Sequence, residues 1–173
     1  MKNEERAAFS VFIAGHLDAA YNLARWLVTD QDDASDILQD ACLRAFNGFA
    51  GYRGENGRAW LLTIVRNTAY NFIRDRSSTT VIPLDDNLLA EIGSHDDNPE
   101  RRIIREADAN ELRVAIEQLP EEYREAIVLR EMEEMSYKEI SAIQRVPIGT
   151  VMSRLSRART LLRDRLRTKE EIV

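Results

Sequence analysis

Residues 120–167, PEEYREAIVLREMEEMSYKEISAIQRVPIGTVMSRLSRARTLLRDRLR, decide the fold of the C-terminal half. Ser136 and Glu139 form an S-x-x-E capping box, which predicts that a helix begins there. The proline that ends the segment 145–147 disfavours helical geometry in the residue before it, so the helix is expected to end near this segment. A second helix is expected to begin around residues 148–150. Two helices joined by so short a break predict a helix-turn-helix.

The second helix of this pair divides into an apolar face and a polar, basic face when its residues are placed about 100° apart. The apolar face, which is expected to face a core, consists of Val151, Leu155, Ala158 and Leu162. Residues 145–169 hold eight basic residues and one acidic residue. Short polar side chains with an arginine suit base edges in the DNA major groove, and flanking arginines suit phosphates. The predicted DNA contacts are Thr150, Met152, Ser153, Arg154, Ser156, Arg157 and Arg159.

An ordinary amphipathic helix with a solvated basic face is the alternative interpretation, because period and charge alone do not separate the two. The capped helix and short turn before it favour nucleic-acid binding. The same stretch carries a longer motif, Glu139-Ile140 followed by Gly149-Thr150-Val151-x-Ser153-Arg154-x-x-Arg157-Ala158-Arg159. This motif resembles the C-terminal promoter-binding domain of sigma-70-type initiation factors. In particular it resembles the small two-domain members called extracytoplasmic function (ECF) sigma factors.

The resemblance covers nearly the whole chain and implies an all-α fold of two small helical domains joined by a flexible linker. An N-terminal domain over residues 1–76 would dock on polymerase and would recognise and melt the promoter −10 element. An acidic linker is expected over residues 77–99, where Ser, Asp, Pro and Gly are scattered without sustained periodicity. A C-terminal four-helix domain over residues 100–173, containing the helix-turn-helix, would recognise the −35 element.

The composition limits the class of protein. A chain of 173 residues can form one ordinary domain or two small ones. No apolar run approaches the length of a membrane span and the N-terminus is unlike a signal peptide, so no membrane insertion is expected. The single Cys42 excludes an internal disulfide and fits a cytoplasmic protein. His16 and His95 lack ligands at metal spacing, so neither a metal nor a cofactor is expected.

The charge of the chain is segregated along its length. The net charge is −6, and residues 77–118 alone hold four basic and ten acidic residues. The acidity is therefore concentrated away from the proposed DNA surfaces. An acidic chain should still bind free DNA weakly, because phosphate neutralisation dominates affinity. A larger partner is implied.

An acidic surface is predicted on the second helix of the chain. Asp30, Asp32 and Asp33 favour a helix start by capping and through the macrodipole. The polar surface left by the buried stripe includes Asp33, Asp36, Gln39 and Asp40. A solvated, well-capped helix is the plainer interpretation of this surface. The order Asp33-Ala34-x-Asp36-x-x-Gln39 is, however, similar to the family segment that docks on the clamp helices of the polymerase β′ subunit, which implies a charge-complementary contact.

A third helix is predicted from Ala59 to Arg76, with an apolar face and a second face that has neither Glu nor Lys. That second face consists of Thr63, Arg66, Asn67, Tyr70, Asn71 and Arg74. Such side chains suit a reader of single-stranded DNA, and a solvated polar face is the alternative. The resemblance implies that this helix recognises and melts the −10 element. In the Gly-rich loop predicted over residues 47–58, it implies that Phe49, Tyr52 and Arg53 contact a flipped base.

The function implied is that of a transcription initiation factor, since no nucleophile–base pair or carboxylate constellation indicates an enzyme. The partners implied by the resemblance are core RNA polymerase (its β′ clamp helices and β flap), promoter DNA and an anti-sigma factor, in a stress response. One alternative is a stand-alone helix-turn-helix regulator, which leaves the acidic second helix without a role. The other is a helical adaptor that binds only proteins, which leaves the basic last helix unexplained.

Overall fold

The computed structural model describes residues 3–77 and 99–170, with side chains described for residues 4–77 and 108–167. Every regular element in these ranges is helical, which confirms the predicted all-α fold. The helices α1 to α7 span Asn3–Leu27, Gln31–Gly48, Gly57–Ser77, Pro99–Glu117, Glu121–Ile127, Tyr137–Gln144 and Ile148–Glu170. The predicted linker lies, except for its two end residues, outside the described residues.

Helices α1 to α3 pack around one core in the N-terminal half. Helix α2 begins where the aspartates predict, because the Asp30 side chain accepts hydrogen bonds from the backbone N–H groups of Asp32 (2.8 Å) and Asp33 (2.9 Å). The helical spacing of apolar residues in α1 predicts that Leu17 belongs to the core, but Leu17 is 38% exposed, whereas Leu23 is fully buried. The other fully buried core residues of this half are Ala20, Ala24, Ala34, Ala41, Ala45, Leu61, Leu62, Val65 and Ala69.

The predicted loop over residues 47–58 is shorter in the structure. Helix α2 continues to Gly48 and is followed by a single 3-10 turn, Phe49–Gly51. Its glycines favour an open loop, but the Phe49 ring packs edge-on against Phe9 at 5.2 Å, so the chain stays helical through the turn. Asn56, at a φ of 46°, then caps α3 through its side chain.

Helices α4 to α7 form the C-terminal half. The sequence predicts one helix from Glu121 to Glu133, begun by Pro120. In the structure it is an α-helix only to Ile127, and Val128–Met132 widens into a π-helical turn. In this turn the N–H of Glu133 donates to the carbonyl of Val128 at 3.1 Å. The buried apolar residues of this half include Ala115, Ile116, Leu119, Ala126, Ile127, Val128, Leu129, Ile140, Ile143, Val151, Leu155 and Ala158.

The two halves pack directly against each other. Helix α3 contacts α6, and α1 contacts both α5 and the π-helical turn. The buried apolar residues of both halves form one continuous cluster. The chain therefore adopts a closed arrangement, which leaves the surface of α7 open and partly covers that of α3.

Candidate nucleic-acid interface

The helix-turn-helix begins with the predicted capping box. The backbone N–H of Ser136 donates to Glu139 Oε2 at 2.6 Å, and the N–H of Glu139 donates to Ser136 Oγ at 3.2 Å. These hydrogen bonds, and a further one from Asn56, lower the pKa of Glu139. Helix α6 ends at Gln144 because Arg145 adopts a left-handed conformation with a φ of 54°. Helix α7 then begins immediately after Pro147.

The exposed face of α7 is the one that its period predicts. Val151, Leu155 and Ala158 are at most 1% exposed and hold the helix on the core. Met152 is 54% exposed on the outer side. Ser153, Ser156 and Arg157 are exposed beside it, whereas Thr150 is half-buried at the helix start. These side chains form an exposed patch nearly two helical turns long. The patch presents two hydroxyls, a thioether and a guanidinium, which are groups that can contact base edges in a DNA groove.

The three arginines of this face differ in how they are held. Arg154 donates to Glu122 and to Gln144, each at 3.2 Å, so its guanidinium is held against α5 and α6. Arg159 donates to Glu131 at 2.7 Å, and that hydrogen bond raises the pKa of Arg159. Arg157 makes a longer hydrogen bond, 3.3 Å, to the hydroxyl of Tyr123, which raises the pKa of Arg157.

The middle of the polar face of α3 is covered by the C-terminal half. Arg66 forms an ion pair with Glu125 of α5, and its side chain is only 17% exposed. The Tyr70 hydroxyl donates to the same carboxylate at 3.0 Å, and the Arg66 guanidinium lies over the Tyr70 ring at 4.5 Å. Burial, and then the charge of Glu125, raise the pKa of Tyr70 far above its ordinary value. Asn67 and Asn71 are half-buried.

Arg74 and Thr63, two other polar residues of this face, make contacts within α3. Arg74 is exposed and donates to Asn71 at 2.9 Å. Thr63 donates its hydroxyl to the carbonyl of Ala59 at 2.8 Å, so it supports the helix backbone. The predicted α3 residues are therefore brought together on one surface, of which one end is open and the middle is covered.

The predicted base-contacting aromatics belong to an aromatic cluster. Tyr52 stacks on Trp60, with ring centroids 4.9 Å apart, and lies 5.9 Å from the stacked ring of Phe49. Phe12 of α1 contacts both Tyr52 and Trp60, at 5.5 and 5.7 Å. Arg53 is exposed at the edge of this cluster. These ring contacts hold the short loop against α1 and α3.

The acidic patch on α2 is mostly open. Asp36, Gln39 and Asp40 are exposed, and Asp40 lies 3.7 Å from Arg44 of the same helix. Asp33 instead forms an ion pair with Arg76 of α3, and the Asp33 side chain is 17% exposed. Three of the four predicted polymerase-contacting residues thus face outward together.

Sequence reasoning did not identify the carboxylates that cover α3. Glu125 is 1% exposed and Glu133 is 4% exposed. Glu125 directly precedes the apolar run 126–129. A glutamate so close to core positions indicates a buried carboxylate that needs a partner, and this indication was present in the sequence. Its partners Arg66 and Tyr70 lie 59 and 55 residues away, so no local pattern could name them.

Two kinds of feature are absent from the described part of the chain. Among its side chains, no group of three or more His, Cys, Asp and Glu residues is placed to hold a metal ion. None of the described helices combines the length and the apolar character that a membrane span requires.

Family models match both halves of the chain. Residues 12–79 match the model for sigma-70 region 2, and residues 109–162 match the model for sigma-70 region 4. The first match includes the acidic patch, the aromatic cluster and the polar face of α3. The second includes the helix-turn-helix, the exposed face of α7 and the carboxylates that contact α3.

Individual proteins are similar over most of their length. The RNA polymerase sigma-H factor of Pseudomonas aeruginosa is 32% identical over 165 residues, covering 90% of this chain and 84% of its own. The ECF RNA polymerase sigma-E factor of Escherichia coli K12 is 31% identical over 169 residues, covering 94% and 88%. Among solved structures, the sigma factor RpoE of Bartonella quintana, crystallised with the anti-sigma factor NepR, superposes with a TM-score of 0.75 at 30% identity. That match covers 92% of this chain and 97% of the other.

Proposed function

This chain belongs to the ECF group of sigma-70-type RNA polymerase sigma factors, and we propose from that premise that its two halves read the two elements of one promoter. It is a transcription initiation factor and not an enzyme. Family membership supports this role over that of a stand-alone helix-turn-helix regulator. The proposal concerns which surfaces contact DNA, polymerase and an inhibitor.

The observation that carries the proposal is the open face of α7, held on a packed helix-turn-helix. In this proposal Ser153 and Arg157 contact base edges of the −35 element in the major groove, with Met152 and Ser156 beside them. Arg154 and Arg159 supply phosphate contacts. Their present carboxylate partners would be exchanged for phosphate oxygens, which make the same charge-assisted hydrogen bonds.

The polar face of α3 and the aromatic cluster read the −10 element in this proposal. Arg66, Tyr70 and Arg74 contact the backbone and bases of the separated strand, and Asn67 lies where the strands part. Tyr52 supplies an aromatic face for an extruded base. Holding that base and the single strand lowers the free energy needed to open the duplex. The assigned −10 contacts are Phe49, Tyr52, Arg53, Arg66, Asn67, Tyr70, Asn71 and Arg74.

Polymerase is the partner that brings the two surfaces into use. The exposed acids of α2 are complementary to a basic docking site, which we assign to the β′ clamp helices, and we assign the C-terminal half to the β flap. An anti-sigma factor that covers these surfaces is proposed as the regulator, because the related RpoE was crystallised with one. A factor that works with RNA polymerase and promoter DNA is proposed to act in the cytoplasm.

A reconstituted transcription assay tests the proposal. Core RNA polymerase is mixed with the purified full chain and with a library of DNA fragments in which two short blocks are randomised. Transcripts are expected to start at a fixed distance from a selected pair of sequences, and core polymerase alone is the control. Failure to bind core, or transcripts with no preferred sequence at either block, would refute it. Tight binding of a promoter by the free protein as a dimer would instead indicate the stand-alone regulator.

A further inference from the structure

The start of α7 exposes two large apolar side chains on the face assigned to the −35 element. Ile148 is 45% exposed and Met152 is 54% exposed. They are four residues apart in one helix, so their side chains are neighbours on its surface. Single apolar residues at a protein surface are common and need no explanation. An adjacent pair on a helix that otherwise presents arginines and hydroxyls is different, because burying both against an apolar group would be favourable.

The apolar pair and the polar base contacts occupy opposite edges of this face. When residues are placed about 100° apart, Ile148 and Met152 lie at one edge. Ser153 and Arg157 lie at the other edge, and the exposed Gly149 lies between the two. An added Cβ at Gly149 would meet nothing within 4 Å, so the packing of this chain does not require a glycine there. A bare backbone at this position lets a ligand come close to the helix between the two edges.

The surroundings of the pair favour DNA over an apolar protein surface as the occupant. Residues 145–169 hold eight basic residues and one acidic residue, a balance that is complementary to phosphate groups. Ile148 is the first residue of α7, and Met152 begins its second turn. In a helix-turn-helix, the first residues of the second helix are the ones that contact base edges in the major groove. The apolar pair therefore lies where bases are read.

Thymine is the base that presents an apolar group in the major groove, because its C5-methyl projects there. We propose that Met152, with Ile148 beside it, contacts the C5-methyl of a thymine in the −35 element and selects thymine at that position. The unbranched thioether of Met152 adapts its shape to such a group. This contact rests on the proposed function, because it names part of the sequence that α7 reads.

The thymine and the base read by Arg157 belong to different base pairs. Met152 and Arg157 are five residues apart, which is about 7.5 Å along a helix. Successive base pairs are separated by about 3.4 Å. The two side chains also lie at opposite edges of the exposed face. The −35 element is therefore read by an apolar contact and a polar contact that can be altered separately.

Replacement of single thymines by deoxyuridine tests the contact, because deoxyuridine keeps the base pairing and O4 of thymine and lacks only the methyl group. The promoter is one selected by reconstituted holoenzyme from the randomised library, and each thymine on either strand of the −35 block is replaced in turn. One replacement is expected to lower run-off transcription at limiting holoenzyme by about fourfold, the factor for one buried methyl group. Selection of a −35 block without thymine, or an absence of any methyl effect, would overturn the proposal.

A Met152→Ala variant identifies the side chain that contacts the methyl group. Because Met152 is exposed, the substitution should leave the free energy of unfolding nearly unchanged. The variant should transcribe equally from the thymine and deoxyuridine promoters, whereas Met152→Leu, which stays apolar and similar in size, should retain most of the preference. Val11→Ala, at a 76% exposed apolar position of α1, is the matched control and should keep the full preference. An equal loss from both promoters in Met152→Ala would overturn the proposal, because it would indicate a contact with polymerase instead.

Binding by the free chain separates failure of this contact from failure of the proposed function. Met152 is exposed in the free chain, so the full-length protein can be titrated at low salt with labelled duplexes of dA·dT or dA·dU pairs. The parent chain is expected to bind the dA·dT duplex about fourfold more tightly, and Met152→Ala should bind both duplexes equally. Equal binding by the parent chain, or a preference that survives in Met152→Ala, would overturn the thymine contact. Absence of transcripts from every promoter would instead refute the proposed function, and these titrations would still decide the contact.

Discussion

Replacement of Arg157 by alanine is the sharpest test of the proposed −35 surface. The Arg157 side chain lies on the exposed face of α7 and makes one hydrogen bond, 3.3 Å long, to the hydroxyl of Tyr123. That distance is at the weak end of the range for a hydrogen bond. The substitution should therefore leave the free energy of unfolding nearly unchanged, as is usual for surface positions. Any effect on promoter recognition can then be assigned to the DNA contact.

The expected size of the effect follows from the geometry of the guanidinium. If Arg157 bonds both O6 and N7 of one guanine, its loss should reduce discrimination at that base pair by about five- to 150-fold. Arg157→Lys separates charge from geometry, because an ammonium keeps the charge and loses the planar fork. We expect the lysine variant to lose most of the discrimination while it retains more of the overall affinity.

The assay is run-off transcription by reconstituted holoenzyme on promoters that differ at each position of the −35 element. The expected result for Arg157→Ala is a relaxed preference at one position, with the other positions unchanged. Arg163→Ala, an exposed arginine further along α7, is the matched control and should alter no single preference. The contrary result is equal weakening on every promoter, together with a slope of log affinity against log salt concentration that is smaller by about one. That result would contradict this assignment and identify Arg157 as a phosphate contact.

Three further predictions concern the supports of the site. Gly57→Ala should lower the free energy of unfolding by about 1–3 kcal/mol in urea titration, because the added Cβ would lie 2.4 Å from a ring carbon of Phe12. Ser136→Ala should lower it by about 1 kcal/mol at neutral pH. Because the folded pKa of Glu139 is depressed, the contribution of this cap is present above the unfolded pKa and is lost as the pH falls through the folded one. Asp36→Lys should weaken binding to core polymerase by at least about tenfold in a pull-down titration, since it reverses the charge of the docking patch.

Each of these predictions has a control in the same chain. At Gly51 an added Cβ would meet nothing within 4 Å, so Gly51→Ala should change stability far less, and an equal loss would contradict the clash. Ser136→Asp keeps a side-chain acceptor at the N-cap and should retain most of the stability. Asp18→Lys makes the same charge change on an exposed position of α1, and equal weakening there would remove the case for a local docking patch.

Local features of the fold were predictable because each depends on residues within about one helical turn. The Ser136 and Glu139 box, the Asp30 cap and the break before Pro147 all involve neighbours three or fewer positions away, and they lie where the sequence places them. The stripe that contains Val151 has the same character, since its residues recur at helical spacing. The assignments of individual DNA contacts remain predictions.

The secondary-structure predictions are wrong where contacts with distant residues override the local preference of a segment. The glycines of residues 47–58 predict a loop, but aromatic packing extends helical structure through Gly51. The helix predicted through Glu133 widens into a π-helical turn instead. Such changes depend on what each segment packs against, and the pattern of one segment does not contain that information.

The amino-acid order alone determined most of the helices, the capped starts of α2 and α6 and the polar faces of α3 and α7, because hydrogen bonds and side-chain periodicity within a helix are set by near neighbours. Tertiary structure alone decided that the polar face of α7 is open and that the middle of the polar face of α3 is covered. Arg66 and Glu125 are 59 residues apart, and only the packing of the two halves brings the cation and the carboxylate into a common buried site. There the cost of removing a charge from water makes each the required partner of the other.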